Sequence, residues 1–351
     1  MESALRAVLI AVACLGAVLC LGRAPASAGE AIGFRQLTNM AGDGSRKLDI
    51  AVWYPAVAGE AVLVGDNKVF VGQSVQTDAP LAPGLHSLVV LSHGFSGHVF
   101  NQGWLAVDLA AHGYVVAAVN HPGTTSRNMD KTVGARLWER PRDISRVIDE
   151  LTRNPAWAIS NNGVAVVGHS LGGWTVMELA GARFDVPLFE ADCRENTKLA
   201  PCEVYRQLGA GADAEAKTAL QQDLSDPRVK AVVSLDLGLA RGFDAESLSR
   251  VGVPVLVIAA DGGDERMPAG MESRHLADLL PPATTRYAAI PGASHFSFLP
   301  VCKPGAVELL EADVKGDGMV CRDGRDGDRA TIHRQVADEI AGFLDAALGP
   351  K

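Results

Sequence analysis

Residues 164–182 read VAVVGHSLGGWTVMELAGA. The first four are short, apolar and β-rich, as in a strand buried on both faces, and an apolar helical pattern resumes through residues 177–182. Between them, Gly168-His169-Ser170-Leu171-Gly172-Gly173 sets a serine on a sharp strand-to-helix turn, a G-x-S-x-G motif in the context it requires. A residue on such a turn carries a strained backbone, and flanking glycines remove side chains that would collide with it. The turn predicts a Ser170 hydroxyl raised above one edge of a sheet, as a nucleophile.

Outward from this turn, residues 88–91, 114–119, 229–235, 254–260 and 285–290 are further short β-rich apolar runs with helical patterns between most of them. Asn101 is placed to cap a helix reaching Ala111, Gly113 to stop it, and Pro141 to occupy the first turn of a helix running to Arg153. This alternation predicts an α/β fold with an open, doubly wound, mostly parallel sheet and a ligand site beyond the carboxyl ends of its strands. Residues 46–54 (RKLDIAVWY) predict a half-buried strand ending at Pro55. Two stretches break the pattern. Residues 184–227 fall where a lid would sit, with helices expected at 203–208 and 212–224, and residues 301–329 form an acidic insertion.

A serine hydroxyl attacks only when a base takes its proton, so a later histidine is needed at the same sheet edge. Of nine histidines, His295 in Pro291-Gly292-Ala293-Ser294-His295-Phe296 follows the last predicted strand on a turn-rich loop. Its position gives the chain order serine, aspartate, histidine. The acid is open between two strand ends: Asp236 after residues 229–235 is preferred, with Asp264 and then Asp261 after residues 254–260 as alternatives. The oxyanion donors are expected from the backbone N–H groups of Leu171 and of Phe95, in the turn Ser92-His93-Gly94-Phe95-Ser96-Gly97. Trp104, Trp138, Trp157 and Trp174 read first as core residues and His121 as a loop cap, with His121 and Trp174 as candidate pocket walls.

The chain has 351 residues, 48% of them hydrophobic, and a formal net charge of -9. That supports one large core, and with no Lys/Arg run it provides no footprint for nucleic acid or anionic lipid. Arg6, the apolar residues 7–21 and Ala26-Ser27-Ala28 form the pattern of a cleaved signal peptide over residues 1–28, leaving one domain over 29–351. Roughly 15 apolar residues fall short of the roughly 20 that span a bilayer, so no stable anchor is expected. Leu19 is too large for lipoprotein cleavage before Cys20. Losing Cys14 and Cys20 leaves Cys193, Cys202, Cys302 and Cys321, an even set that predicts two disulfides in a periplasmic or secreted protein. The sequence-local pairs Cys193–Cys202 and Cys302–Cys321 are preferred among three connectivities, and neither has the CxxC spacing of zinc or redox sites. Glu311, Asp313, Asp317, Asp323, Asp326 and Asp328 lack EF-hand spacing and read as a solvated loop in preference to a calcium site.

The motifs together resemble the bacterial predicted dienelactone hydrolase group and, more distantly, the platelet-activating-factor acetylhydrolases, both α/β-hydrolases. The resemblance covers most of the chain after the leader. It is carried by Val52-Trp53-Tyr54-Pro55, Ser92-His93-Gly94-Phe95, Val119-Asn120-His121-Pro122-Gly123, the Ser170 turn, Ser234-Leu235-Asp236 and Ser294-His295-Phe296. It implies an acid in a Leu-Asp pair like Leu235-Asp236, whereas other α/β-hydrolases use an Asp-x-x-x-Pro pattern like Asp264 to Pro268, here with an extra residue before the aspartate. Dienelactone hydrolases proper use a cysteine where this chain has Ser170, which shifts the expected substrate to ordinary carboxylic esters. Short-acyl or lipid-like esters are implied, with no cofactor and a small-molecule substrate. Cutinase-like polyester cleavage and amide cleavage are alternatives within enzymes. A non-catalytic binding protein on the same fold would have lost an element of the site, and none is missing from the sequence.

Overall fold

The computed structural model describes residues 31–40, 46–57 and 59–349. The expected leader at 1–28 lies outside them. Among the described residues there are twelve strands: β1 (Ala31–Met40), β2 (Leu48–Ala56), β3 (Val62–Val64), β4 (Gln73–Thr77), β5 (His86–Ser92), β6 (Val115–Asn120), β7 (Thr124–Thr125), β8 (Asn128–Met129), β9 (Ile159–His169), β10 (Val229–Leu235), β11 (Val255–Ala260) and β12 (Thr285–Ile290). Ten of them form one sheet in the order β12-β11-β10-β9-β5-β6-β2-β1-β4-β3, and β7 and β8 make a small separate ribbon. From β12 to β6 every pairing is parallel, and β2 is antiparallel to both its neighbours.

The period of two along each strand divides the core. Val164 and Val166 of β9 pack on one face, with α3 (Glu139–Arg153), which follows the short helix α2 (Lys131–Gly134), and with α4 (Leu171–Leu179). Ala165 and Val167 pack on the other, with α1 (Gly103–Ala111) and the C-terminal helix Arg329–Leu348. Helices on both faces make the doubly wound arrangement expected from the sequence. Strands β5, β9 and β10 therefore end together, and the chain that leaves them forms a single rim.

Several local expectations are corrected. Strand β2 is buried on both faces from Ile50 onward and continues through Pro55 to Ala56. Its ladder with β6 runs only from Asp49 to Trp53, so Pro55 lies beyond it, where a residue without an N–H is tolerated. Asn101 does not cap α1; its side chain accepts the His98 N–H at 2.9 Å and closes the preceding turn. Gly113 does take a left-handed conformation, φ 89°, after that helix. Trp104 stacks on His333 at 3.8 Å and donates to the Phe298 carbonyl. Trp174 is fully buried against Phe184.

The stretch 184–227 holds a helix the sequence reading missed, Val186–Glu195, followed by Ala200–Leu208 and Ala214–Leu220. Disulfides join Cys193 to Cys202 and Cys302 to Cys321, with Cα atoms 5.5 and 5.7 Å apart. The second insertion is less loop-like than expected, containing the helix Ala306–Asp313 and a 3-10 turn at Asp317–Cys321. Its carboxylates are partly committed: Glu311 accepts from Gly316 and Arg322, Asp323 from Ser297 and Arg329, and Asp328 caps the C-terminal helix.

Glu178, on α4, is fully buried, and that burial pushes its carboxyl well above the ordinary range, with Arg183 opposing. Such an acid holds a proton in the folded state that the unfolded chain has released. Stability therefore falls as pH rises from the ordinary value near 4.5 toward the folded one, by about 1.4 kcal/mol per pH unit for one proton. Glu178→Gln removes this contribution. The melting temperature of the variant minus that of the wild type is expected to grow between pH 5 and 8, and a constant difference would refute the assignment.

Candidate active site

Ser170 joins β9 to α4 with φ 57° and ψ -120°, a strained conformation for a residue with a side chain. Its N–H donates to the Leu235 carbonyl at 2.9 Å, tying the turn to the end of β10. A Cβ at Gly168 would lie 1.9 Å from the Gly172 carbonyl oxygen, and one at Gly172 would lie 2.0 Å from that of Ser92. Only glycine fits at either place, so the motif is a requirement of close backbone approach.

The His295 Nε2 lies 3.0 Å from Ser170 Oγ, and its Nδ1 lies 2.6 Å from Asp236 Oδ2. A carboxylate on Nδ1 holds the proton there and leaves Nε2 free to accept from the serine hydroxyl. The second oxygen of Asp236 accepts the Ala260 N–H at 2.9 Å, which fixes the carboxylate plane. Both residues are largely shielded, His295 being 9% and Asp236 3% exposed. Asp264 takes a different partner, accepting the Arg266 N–H at 2.8 Å, and the Asp261 side chain is exposed. Of the three candidate acids, the structure brings Asp236 to His295.

His169, the variable residue of the motif, is a contributor the sequence reading missed. Its Nε2 donates to the His295 carbonyl at 2.9 Å, and its ring lies 4.8 Å from that of His295. Burial first, and the His295 charge second, pull its pKa down to about 3, so it stays a neutral strut under the loop.

Phe95 and Leu171 both face a cavity of about 240 Å³ that opens over Ser170 and His295. Leu171 is the first residue of α4, where a backbone N–H has no carbonyl partner within the helix. In the turn after β5, Ser96 donates to the Thr124 carbonyl and Gly97 to that of Gly94, leaving the Phe95 N–H. The opposite wall comes from the helix Ala200–Leu208 through Pro201, Val204 and Gln207, while Met319 reaches in from the second insertion. The Ala200 N–H donates to the Arg266 carbonyl at 2.9 Å, and Arg266 pairs with Glu203 across the mouth. His121 and Trp174 do not line this cavity. His121 is fully buried, with Ser92 Oγ at 2.9 Å and Asp143 Oδ2 at 3.1 Å.

Among the described residues, one group of three has spacing compatible with a metal ion: Asp192, Cys193 and Cys202. The two sulfurs are bonded to each other, so that group does not offer thiolates.

The sequence pattern of the alpha/beta hydrolase family matches residues 89–306. Cutinase est2 of Thermobifida alba is 28% identical over 105 residues, covering 29% of this chain and 32% of that protein. Cutinase 2 of Thermobifida cellulosilytica is 28% identical over 105 residues, covering 29% of this chain and 37% of its own. The match thus spans about a third of these relatives' length. The solved structure of a ferulic acid esterase from Streptomyces cinnamoneus superposes with a TM-score of 0.63 at 22% identity, covering 94% of each chain. That likeness agrees with the family match in giving an α/β-hydrolase fold.

Proposed function

This chain belongs to the alpha/beta hydrolase family, and from that premise we propose that it is a serine esterase acting on carboxylic esters of small molecules. The observation that carries the proposal is the pair of contacts on His295, 3.0 Å to Ser170 Oγ and 2.6 Å to Asp236. Ser170 attacks the ester carbonyl as His295 Nε2 takes its proton, and Asp236 stabilises the imidazolium. The Phe95 and Leu171 N–H groups receive the oxyanion. His295 then returns the proton to the leaving alcohol, and a water activated by the same base releases the acyl group. These steps use the chain's own residues and call on no cofactor.

The cavity supports a short, apolar acyl group: about 240 Å³ walled by Phe95, Leu171, Val204, Leu239 and Met267. That agrees with kinship to the platelet-activating-factor acetylhydrolases within the family, and so does an acid in the pair Leu235-Asp236. We assign residues 184–227 as the lid of a single catalytic domain, because the helix Ala200–Leu208 forms a wall of the cavity. Two disulfides support a periplasmic or extracellular location. The partial likeness to cutinases supports a second substrate class, aliphatic polyesters.

The test is fluorophosphonate labelling of the purified protein together with hydrolysis of p-nitrophenyl esters of increasing acyl length and of a polyester film. Labelling with rates that peak at short acyl chains is expected. A folded protein that neither labels nor turns over any ester would make it a binding protein and sink the proposal. Film hydrolysis as the fastest reaction would replace the short-acyl assignment by the polyester one.

A further inference from the structure

We propose that Arg140 is a positioning residue that clamps together the two backbone segments donating to the oxyanion, a role that rests on the esterase reading of Ser170. Arg140 lies in the first turn of α3 and is 1% exposed. Its guanidinium reaches both segments at once. On the side of the turn after β5, Nη2 donates to the His93 carbonyl, two residues before Phe95, and approaches Ser92 Oγ at 3.4 Å. On the side of the nucleophile, Nε donates to Thr175 Oγ1 at 3.0 Å, and that hydroxyl donates to the Leu171 carbonyl at 2.9 Å. Nη1 donates to Thr124 Oγ1 at 2.7 Å, which in turn holds the His121 carbonyl at 3.1 Å.

A planar guanidinium fixes several acceptor directions simultaneously, which an ammonium does not. Here it sets the spacing between the residue that carries one oxyanion N–H and the turn that carries the other. The two segments are already in backbone contact, as the absent Cβ of Gly172 against the Ser92 carbonyl requires. Their relative position is therefore a tight, defined quantity that a clamp can hold.

The peptide that presents the Phe95 N–H is held from its other end as well. Its carbonyl, that of Gly94, accepts from His93 Nδ1 at 2.6 Å and from the Gly97 N–H at 3.2 Å. The His121 N–H donates to His93 Nε2 at 3.1 Å, so the His93 proton must sit on Nδ1. Burial first, then the Arg140 cation, hold His93 neutral, as that arrangement needs. A donor on the carbonyl of an amide both orients its N–H and strengthens it as a donor.

Behind this layer, Ser92, His121 and Asp143 follow one another at 2.9 and 3.1 Å in the order of a hydrolytic triad. All three are buried, at 1%, 0% and 0% exposure, so no substrate reaches them and their geometry serves as support. Arg46 and Arg146 close the line on Asp143. The acceptors of Arg140 are in contrast neutral, a carbonyl and three hydroxyls. Burying a cation against neutral oxygens is costly. The nearby Asp143 charge offsets part of that cost, and a cation kept there at this expense fits a fixed structural clamp.

The experiment compares wild type with Arg140→Lys, Arg140→Met and Thr175→Val, measuring kcat, KM, melting temperature and the affinity of a boronic acid that mimics the tetrahedral intermediate. Arg140→Met is expected to lose about 100-fold in kcat, the effect of a misplaced donor, with KM within about twofold. Arg140→Lys should recover only part of this, because it restores the charge without the fork. Thr175→Val, which removes the hydroxyl between Arg140 Nε and the Leu171 carbonyl and leaves the other bonds of Arg140 in place, should lose less than Arg140→Met while melting within a few degrees of wild type. It guards against failure of Arg140→Met to fold. In each variant the boronate should weaken by the same factor as kcat/KM, which loss of stability by itself would not produce. Folded variants with undiminished kcat or unchanged boronate affinity overturn the assignment and leave the esterase reading intact. A wild type without turnover removes both.

Discussion

Exchange of Ser170 for Ala is expected to lower kcat toward p-nitrophenyl esters by about a million-fold, the scale on which a triad nucleophile fails, and to abolish fluorophosphonate labelling. The fold should tolerate the change. Ser170 makes no side-chain cap to α4, so helix stability does not depend on its hydroxyl, and alanine retains a Cβ in the same strained conformation. Circular dichroism and melting temperature should match the wild type. What survives is the weak catalysis that oxyanion donors and binding supply without a nucleophile, about 10³-fold over water. Substantial labelling in Ser170→Ala would mean that another hydroxyl carries the chemistry.

Asp236→Asn is expected to cost about 10⁴-fold in kcat at neutral pH with little change in KM. The Asp236 carboxylate accepts on both oxygens, from His295 Nδ1 at 2.6 Å and from the Ala260 N–H at 2.9 Å. With an amide in its place, the backbone N–H claims the amide oxygen and the NH₂ group turns to His295. The ring must then accept on Nδ1 and carry its proton on Nε2, where it cannot take the one from Ser170. Asp264→Asn, whose carboxylate caps the Arg266 N–H, is expected to stay within about threefold of wild type. The reverse result, with Asp264→Asn crippled and Asp236→Asn active, would show that the catalytic loop rearranges on substrate binding.

The contrast between those aspartates marks where sequence reading stopped. Strands β10 and β12 carry the bounds expected from their apolar runs, and the Ser170 turn sits where its glycines demanded. Both candidate acids follow strands that end on the same rim, so chain position cannot separate them. What does is a backbone detail, Asp236 at φ 42°, together with its bond to Ala260. Strands β3 and β4 carry little signal because they are short, β3 at the edge of the sheet and β4 beside it, and the latter reads QSVQT, with one apolar residue in five. The helix Val186–Glu195 is announced by Asp185 at its N-cap and Pro187 in its first turn. The hydrogen bonds of Arg140 itself join residues up to 48 positions apart, through polar groups that carry no periodic signal.

The two disulfides connect cysteines only 9 and 19 positions apart, each with its nearest neighbour in sequence among Cys193, Cys202, Cys302 and Cys321. Such nested-free pairing suits a chain oxidised in the order in which it is delivered. In a chain made from its N-terminus, Cys193 and Cys202 both emerge before Cys302 or Cys321, so among these four cysteines the earliest bond that can form is the native one. Each bridge closes a short loop within one insertion, so its two partners are near each other in the chain whether or not the distant strand pairings of the sheet have formed.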